Sequence, residues 1–263
     1  LRLMHARSRY DHLSSNRNHF LDIAVECSEL TLPYLIQRDE LRPSHKDLRQ
    51  PWQSVGSKAV VTLASKLMLA LLPPQTSFFK LQIRDDKLGT ELPAQIRSEL
   101  DLSFAKMERM VMDSIASSSD RVAVHQAIKH LVVGGNALMF MGKEGIKHYP
   151  LNRYVVERDG NGNVIEIVTK ELINKQLLPK EFQELKSKEG VSSRYGSNTD
   201  DVEIYTHVKL DNNRWVWHQE AFDKVIPNTD GKSPKDANPW LVLRFNSVDG
   251  ENYGRGRVEE FLG

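Results

Sequence analysis

Cysteine is almost absent: Cys27 is the only one in 263 residues. An intrachain disulfide is therefore excluded, as is a zinc site built on several thiolates. A lone thiol suits a reducing compartment. Long apolar runs are missing too. No stretch of about 18 apolar residues occurs, so no membrane-spanning helix is expected. Residues 1–15 are polar and lack the apolar centre of a secretory signal. Nor does one sign of charge dominate: 36 Lys and Arg face 35 Asp and Glu, a formal net charge of +1. That balance argues against the strongly basic face used for tight, charge-driven nucleic-acid binding, but permits loose passage of a duplex past mixed charges.

What is present is enough for a core. Forty per cent of the residues are apolar, and the length suits one large domain or two small ones. Leu13, Phe20, Ile23, Cys27 and Leu30 recur at helical spacings, and Pro33 ends that helix. A polar linker, 37–49, follows. Pro51 is placed for the first turn of a second helix carrying Val55, Ala59, Leu63, Ala64, Leu67, Met68 and Leu71. Its second half, 67–72, is apolar all round and is expected to be fully buried in protein. Phe79, Leu81 and Ile83 alternate as in a half-buried strand. A third helix, about 93–117, carries the stripe Leu92, Ile96, Leu100, Met107, Met110, Val111 and Ile115. Asp120 can cap a fourth, which Gly134, Gly135 and Asn136 break. The pattern then turns to strands: 137–141, a hairpin of 154–157 with 164–169, a short polar helix near 180–188, a loop at 192–199, a hairpin of 202–210 with 214–219, and 240–245. Helices cluster in the first half and strands in the second, so the expected class is α+β, helices packed with a mainly antiparallel sheet. The chain stops just after 258–262, which reads as an interrupted helix, and a partial chain is expected.

Few residues form a chemical motif. Asp159-x-Asn161-x-Asn163 imitates the start of a calcium loop, but Val164 and Lys170 stand where that loop needs Gly and Glu; a hairpin turn is the preferred reading. Gly231-Lys232-Ser233 imitates the end of a P-loop without its first glycine or its helix. His125 and His130, five apart, do not share a helix face as a metal pair would, and His207 is expected to pack in a strand or meet solvent. The acidic pairs Asp85-Asp86, Asp200-Asp201 and Glu259-Glu260 read as solvated, not as Mg²⁺ ligands. Trp215 and Trp217 share a strand face; a stacking platform for bases, a subunit contact and core packing all remain open. Tyr253-Gly254-Arg255-Gly256-Arg257 allows a phosphate contact, but a hinge is preferred. On that reading, valine at Gly254 and Gly256 leaves the segment folded.

Five blocks, in order, carry a resemblance. They are Pro51-Trp52-Gln53-Ser54-Val55-Gly56 continuing through 63–71, then Leu131-Val132-Val133-Gly134-Gly135-Asn136, then 154–159, then Ile204-Tyr205-Thr206-His207-Val208, and finally 249–255 leading to 259–263. In order and spacing the chain resembles the head-to-tail connector, or portal, proteins of short-tailed bacteriophages, over their N-terminal wing. The resemblance implies a ring, usually of twelve subunits, at one capsid vertex, assembled in the host cytoplasm and carried in the virion. Double-stranded DNA would pass through it without sequence preference. Implied partners are the major capsid protein, scaffold, terminase, tail adaptor and internal core proteins, with no membrane. Residues 1–136 would be the helical part of the wing, 137–248 the β part, and 249–263 a glycine-rich hinge into a stem helix. No catalytic, cofactor-binding or metal residue is assigned, no cofactor is expected, and nucleic-acid contacts fall on no particular residue. The competing readings are a metal-dependent nucleic-acid-processing enzyme and a monomeric capsid adaptor.

Overall fold

Residues spaced three and four apart give the first helix, α1 (Ala6–Leu30), its buried face: Ala6, Tyr10, Leu13, Arg17, Leu21, Ala24 and Cys27. The computed structural model describes residues 5–38, 48, 51–74, 76–82, 93–185 and 201–262. Leu30, expected inside, is 52% exposed. Arg17, not expected inside, is buried; its Nη1 donates to Tyr10 Oη at 2.6 Å and to the Asn152 carbonyl at 3.2 Å.

The second helix, α2 (Val55–Leu71), starts after Ser54, so Pro51 lies outside its first turn. It buries one stripe, Val60, Ala64 and Met68, while Leu69 and Leu71 are 58% and 59% exposed. The expectation of burial on all sides is thus corrected: among the described residues α2 packs along the fourth helix and meets the end of α1, and only the stripe facing them is covered. No strand forms within 76–82, and Ile83 lies outside the described residues; Leu81 instead donates its N–H to Glu108 Oε1 at 2.6 Å. Glu108 belongs to α3 (Ala94–Ser117), whose stripe is only partly covered: Ile96, Met107 and Val111 are exposed. Leu92 lies outside the described residues.

Ser119, not Asp120, precedes α4 (Asp120–Gly134), which ends on Gly135 in the left-handed region at φ +73°. The strands are β1 (Asn136–Gly142), β2 (Gly145–Tyr149), β3 (Tyr154–Arg158), β4 (Val164–Asn174), β5 (Asp201–Asp211), β6 (Arg214–Ala221), β7 (Lys224–Val225), β8 (Gly231–Pro234) and β9 (Trp240–Arg244). A one-turn helix, α5 (Lys180–Gln183), follows β4. All pairings are antiparallel. One sheet runs β2-β1-β9; a larger one runs β3-β4-β5-β6, with β7 and β8 side by side on the outer edge of β6. Asn212 and Asn213, at φ 45° and 63°, make the two-residue β5–β6 turn that matches strand twist. The α+β class holds, with two antiparallel sheets. β2, β7 and β8 were not read from the sequence; β7 and β8 are only two and four residues long, and β2 has only Ile146 and Tyr149 as apolar residues and no regular alternation.

The first half of α1 packs on one face of the larger sheet, Ala6, Tyr10 and Leu13 meeting Val155, Val168 and Tyr205. The other face, with Val156, Ile167, Val208 and Trp215, joins the main core with α2, α4 and the second half of α1. Trp215 and Trp217 both pack within the chain. Trp215 is buried, and Trp217 lies against the main core and over Gly231, where a Cβ would come within 2.2 Å of its ring. The expected helix at the end of the chain is a 3-10 turn, Val258–Phe261.

Candidate functional site

Motif blocks far apart in the chain meet at one place, where residues 252–257 cross the turn between α4 and β1. The Asn136 side chain bridges the two backbones. Its Nδ2 donates to the carbonyls of Gly254 (2.7 Å) and Gly134 (2.9 Å), and its Oδ1 accepts from the Gly254 N–H at 2.7 Å. Arg257 N–H donates to the Val132 carbonyl at 2.8 Å, and Phe245 N–H to that of Gly135 at 2.9 Å. Arg255 and Asn246 exchange backbone bonds at 2.9 and 3.2 Å. The Val156 N–H donates to the buried Tyr253 Oη at 3.1 Å, and the Arg158 N–H to Asn252 Oδ1 at 3.1 Å. Burial pushes the Tyr253 hydroxyl up to about 12. Blocks 131–136, 154–159 and 249–255 thus form one joint.

The glycines serve close approach here. A Cβ on Gly256 would lie 2.3 Å from the Val133 carbonyl oxygen, and one on Gly254 2.7 Å from Arg244 Cβ. Valine at either would clash with packed neighbours, so the expectation of a folded double-valine variant is overturned. The arginines are engaged as well. Arg255 Nη2 meets Glu251 at 2.7 Å, its Nη1 meets Glu259 at 2.5 Å, and the guanidinium lies over the Phe20 ring; Arg257 pairs with Glu260. Hydrogen bonds to Glu251 and Glu259 raise the Arg255 pKa. With both guanidinia and the N–H groups of Gly254, Arg255 and Arg257 paired inside the chain, the phosphate reading gains no support. Beside the joint lies an apolar groove of about 390 Å³, lined by Leu30, Ala59, Val60, Leu63, Val132 and Val258.

A second polar assembly fixes α1 to the larger sheet. Glu157 and Glu166 sit directly opposite each other on β3 and β4, where like charges repel. Arg9 of α1 reaches both, its Nε donating to Glu166 Oε2 at 2.9 Å. His207 Nε2 lies 2.6 Å from Glu166 Oε1, so the expectation that His207 merely packs or meets solvent is corrected. Burial opposes ionisation of Glu166, but the hydrogen bonds from His207 and Arg9 outweigh it and hold the carboxyl down to about 2. Glu220 of β6 accepts the Ala6 N–H at 2.8 Å, placing a carboxylate at the positive end of α1, which has no side-chain cap of its own. None of these ion pairs was read from the sequence. The four residues 157, 166, 207 and 220 lie one on each of β3, β4, β5 and β6, so no pattern along the sequence signals them.

The remaining candidates separate. Asp159 Oδ1 accepts from the N–H groups of Asn161 (2.9 Å) and Asn163 (2.7 Å) and its Oδ2 from Asn163 Nδ2 (3.0 Å), which makes it a turn residue whose acidity is strengthened by the Asn163 side chain first and the backbone bonds after it. Gly231-Lys232-Ser233 is strand β8 against β6. His130 stacks not with His125 but with His148 of β2. Asp120, the expected cap, accepts the Ile146 N–H at 2.7 Å and so ties β2 to α4. Asp201 opens β5, whereas Asp85, Asp86, Asp200 and the 192–199 loop lie outside the described residues. Among the described residues, no group of three or more His, Cys, Asp or Glu is placed to hold a metal ion.

Residues 3–263 match the family described as "Bacteriophage head to tail connecting protein". The portal proteins of Enterobacteria phage T3 and Escherichia phage T7 are 36% and 35% identical, each over 98% of this chain and 49% of its own length. The portal protein of Pseudomonas phage phiKMV is 29% identical over 91% of this chain and 48% of its own. The chain spans about half the length of the curated relatives it matches. With a family match running through every motif block and relatives above 30% identity along nearly its whole length, the chain belongs to the bacteriophage head-to-tail connecting protein family.

Proposed function

We propose that this chain is the N-terminal wing of a portal protein. Copies of the complete protein close into a ring at one capsid vertex, through which double-stranded DNA is packaged and later ejected. The observation that carries the reading is the unbroken family match over residues 3–263, shared with relatives named portal protein. In this reading residues 1–136 and 137–248 are the helical and β parts of the wing, and 249–263 connect it towards a stem. Terminase docks on the ring during packaging and tail proteins replace it; the capsid protein, scaffold and core proteins are the other neighbours. The ring is usually of twelve copies, assembles in the host cytoplasm and ends in the virion. The work is mechanical: ring symmetry makes the hole, and no catalytic residue is needed. The joint at Asn136 and residues 252–257 supports a load-transmitting role, because it ties the helical part, both sheets and the end of the chain into one body.

Electron microscopy of the full-length protein tests this. Class averages should show closed rings with a central hole; a uniform monomer at micromolar concentration would defeat the reading. The enzyme alternative predicts Mg²⁺-dependent ATP or nucleic-acid hydrolysis that disappears on Asp85→Ala or Glu259→Ala. No such turnover is expected.

A further inference from the structure

In the seam between α4 and the β2-β1-β9 sheet, His130 and His148 stack with ring centroids 4.4 Å apart and planes inclined by 43°. His130 is 6% exposed. Two of their ring nitrogens, His130 Nδ1 and His148 Nε2, are buried without a hydrogen-bond partner. A neutral pair tolerates this at modest cost, but two imidazolium rings at this separation, with buried ring nitrogens unpaired, do not. The seam offers protons no compensation. The charges acting on the rings are positive: Lys129 of α4 on His130, and Arg153, after β2, on His148. The carboxylates beside β2 are committed elsewhere. Asp120 holds the Ile146 N–H, and Glu171 of β4 holds Lys147 and the Tyr149 hydroxyl. From β1, Met139 lies opposite His148.

We propose that the His130–His148 stack is a proton-operated latch, closed while both rings are neutral and released by their protonation, which parts the β2-β1-β9 sheet from α4. Release reaches beyond the seam. β9 leads into Phe245 and Asn246, whose backbone bonds hold Gly135 and Arg255, so an opened sheet loosens the joint described above. Burial is the main cause that keeps both rings neutral. It holds His130 well below the ordinary histidine value and, with Arg153, brings His148 down to about 4. Both groups are depressed cations, so the open state binds protons more readily than the closed one. The latch is fully closed above the ordinary histidine pKa near 6.5 and weakens as pH falls from there towards 4.

Hydrogen exchange of the 263-residue chain at pH 7.5 and pH 5 tests the latch. After the intrinsic pH dependence is divided out, amides of β1, β2 and β9 should lose roughly thirtyfold protection through His148 alone, if it titrates near 6.5 when open and near 4 when closed. Amides of β3–β6 should change far less. Glutamine is neutral and polar, so His148→Gln should remove its share, and His130→Gln/His148→Gln should abolish the pH response of the small sheet. Ring ¹³C NMR of the unaltered protein gives a second readout that does not depend on the variants folding: His148 should titrate well below 6. Either ring titrating near 6.5 in the native protein would overturn the proposal. So would a pH response that survives in the double variant, or an equal loss of protection in both sheets.

Discussion

A methyl group on Gly256 would sit 2.3 Å from the Val133 carbonyl oxygen, whereas one on Gly250 would meet nothing within 4 Å. These two glycines therefore do different things. Gly256→Ala should cost roughly 2–3 kcal/mol, because backbone has to move. Gly250→Ala should cost only about 1 kcal/mol, for the left-handed φ of +78°. Urea unfolding with an unchanged slope reads both; equal losses would mean that close approach is not what Gly256 provides. Glu166 makes a pH prediction. Its carboxyl is depressed to about 2, so its stabilisation is complete above the ordinary value near 4.3 and is lost as pH falls towards 2, roughly 3 kcal/mol in all. Acid unfolding should thus show two windows, one from His148 between about 6.5 and 4 and one from Glu166 between about 4.3 and 2. Glu166→Gln should flatten the lower window alone, and a variant that kept the same slope below pH 4 would show that other carboxylates carry it.

At the scale of elements, one-sided burial explains most of the helical half. α2 presents Met68 to the core and Leu69 to the outside, 8% against 58% exposed. Met68→Asp would bury an unpaired charge and should cost at least about 3 kcal/mol. Leu69→Asp should shift stability by less than about 0.5 kcal/mol in the isolated chain. Thermal unfolding of the pair checks the assignment; comparable losses would place Leu69 in a core. α1 depends on the sheet at its first residue. Glu220→Gln should weaken α1 by about 1 kcal/mol, since the carboxylate both accepts the Ala6 N–H and faces the helix dipole. Hydrogen exchange localised to the first turns of α1 would register it.

For the whole molecule, the proposed ring and the near-zero net charge lead to solution behaviour. Wing domains lie at the outside of such a ring, so the 263-residue chain alone should sediment mainly as monomer or as a polydisperse mixture, while the complete protein closes. A cyclic contact joins two different faces, and a specific interface needs about 1,000 Å² or more. Ultracentrifugation of both forms decides; a homogeneous ring from the short chain would put the interface in the wing. Duplex DNA should bind the chain weakly, without sequence preference, and the binding should vanish between about 50 and 200 mM salt. Sequence-dependent binding that survives salt would favour a processing enzyme.

From the sequence alone came the α+β class, the presence of the four long helices with the ends of α3 and α4 to within a residue or so, both main hairpins and the family resemblance. Each rests on local periodicity, turn chemistry or composition, which a chain carries without its fold. Tertiary structure alone decided which half of an apolar helix is covered. α2 is apolar over 67–72, yet Met68 is buried and Leu69 is exposed, a choice of face that composition does not make. It also decided the partners of charge. Arg9 and Glu166 are 157 residues apart, as are no two residues that a spacing rule compares, and only the packing of α1 on the sheet brings them together. Gly254 and Gly256 looked like freedom because sequence shows what a residue permits; the fold shows that the missing side chains make room for the Val133 and Gly135 carbonyls and for Arg244. Arg17 and the His130–His148 stack lay hidden for the same reason. The Asn152 carbonyl that receives Arg17 and the ring face that His148 presents to His130 come from parts of the chain that no local pattern compares.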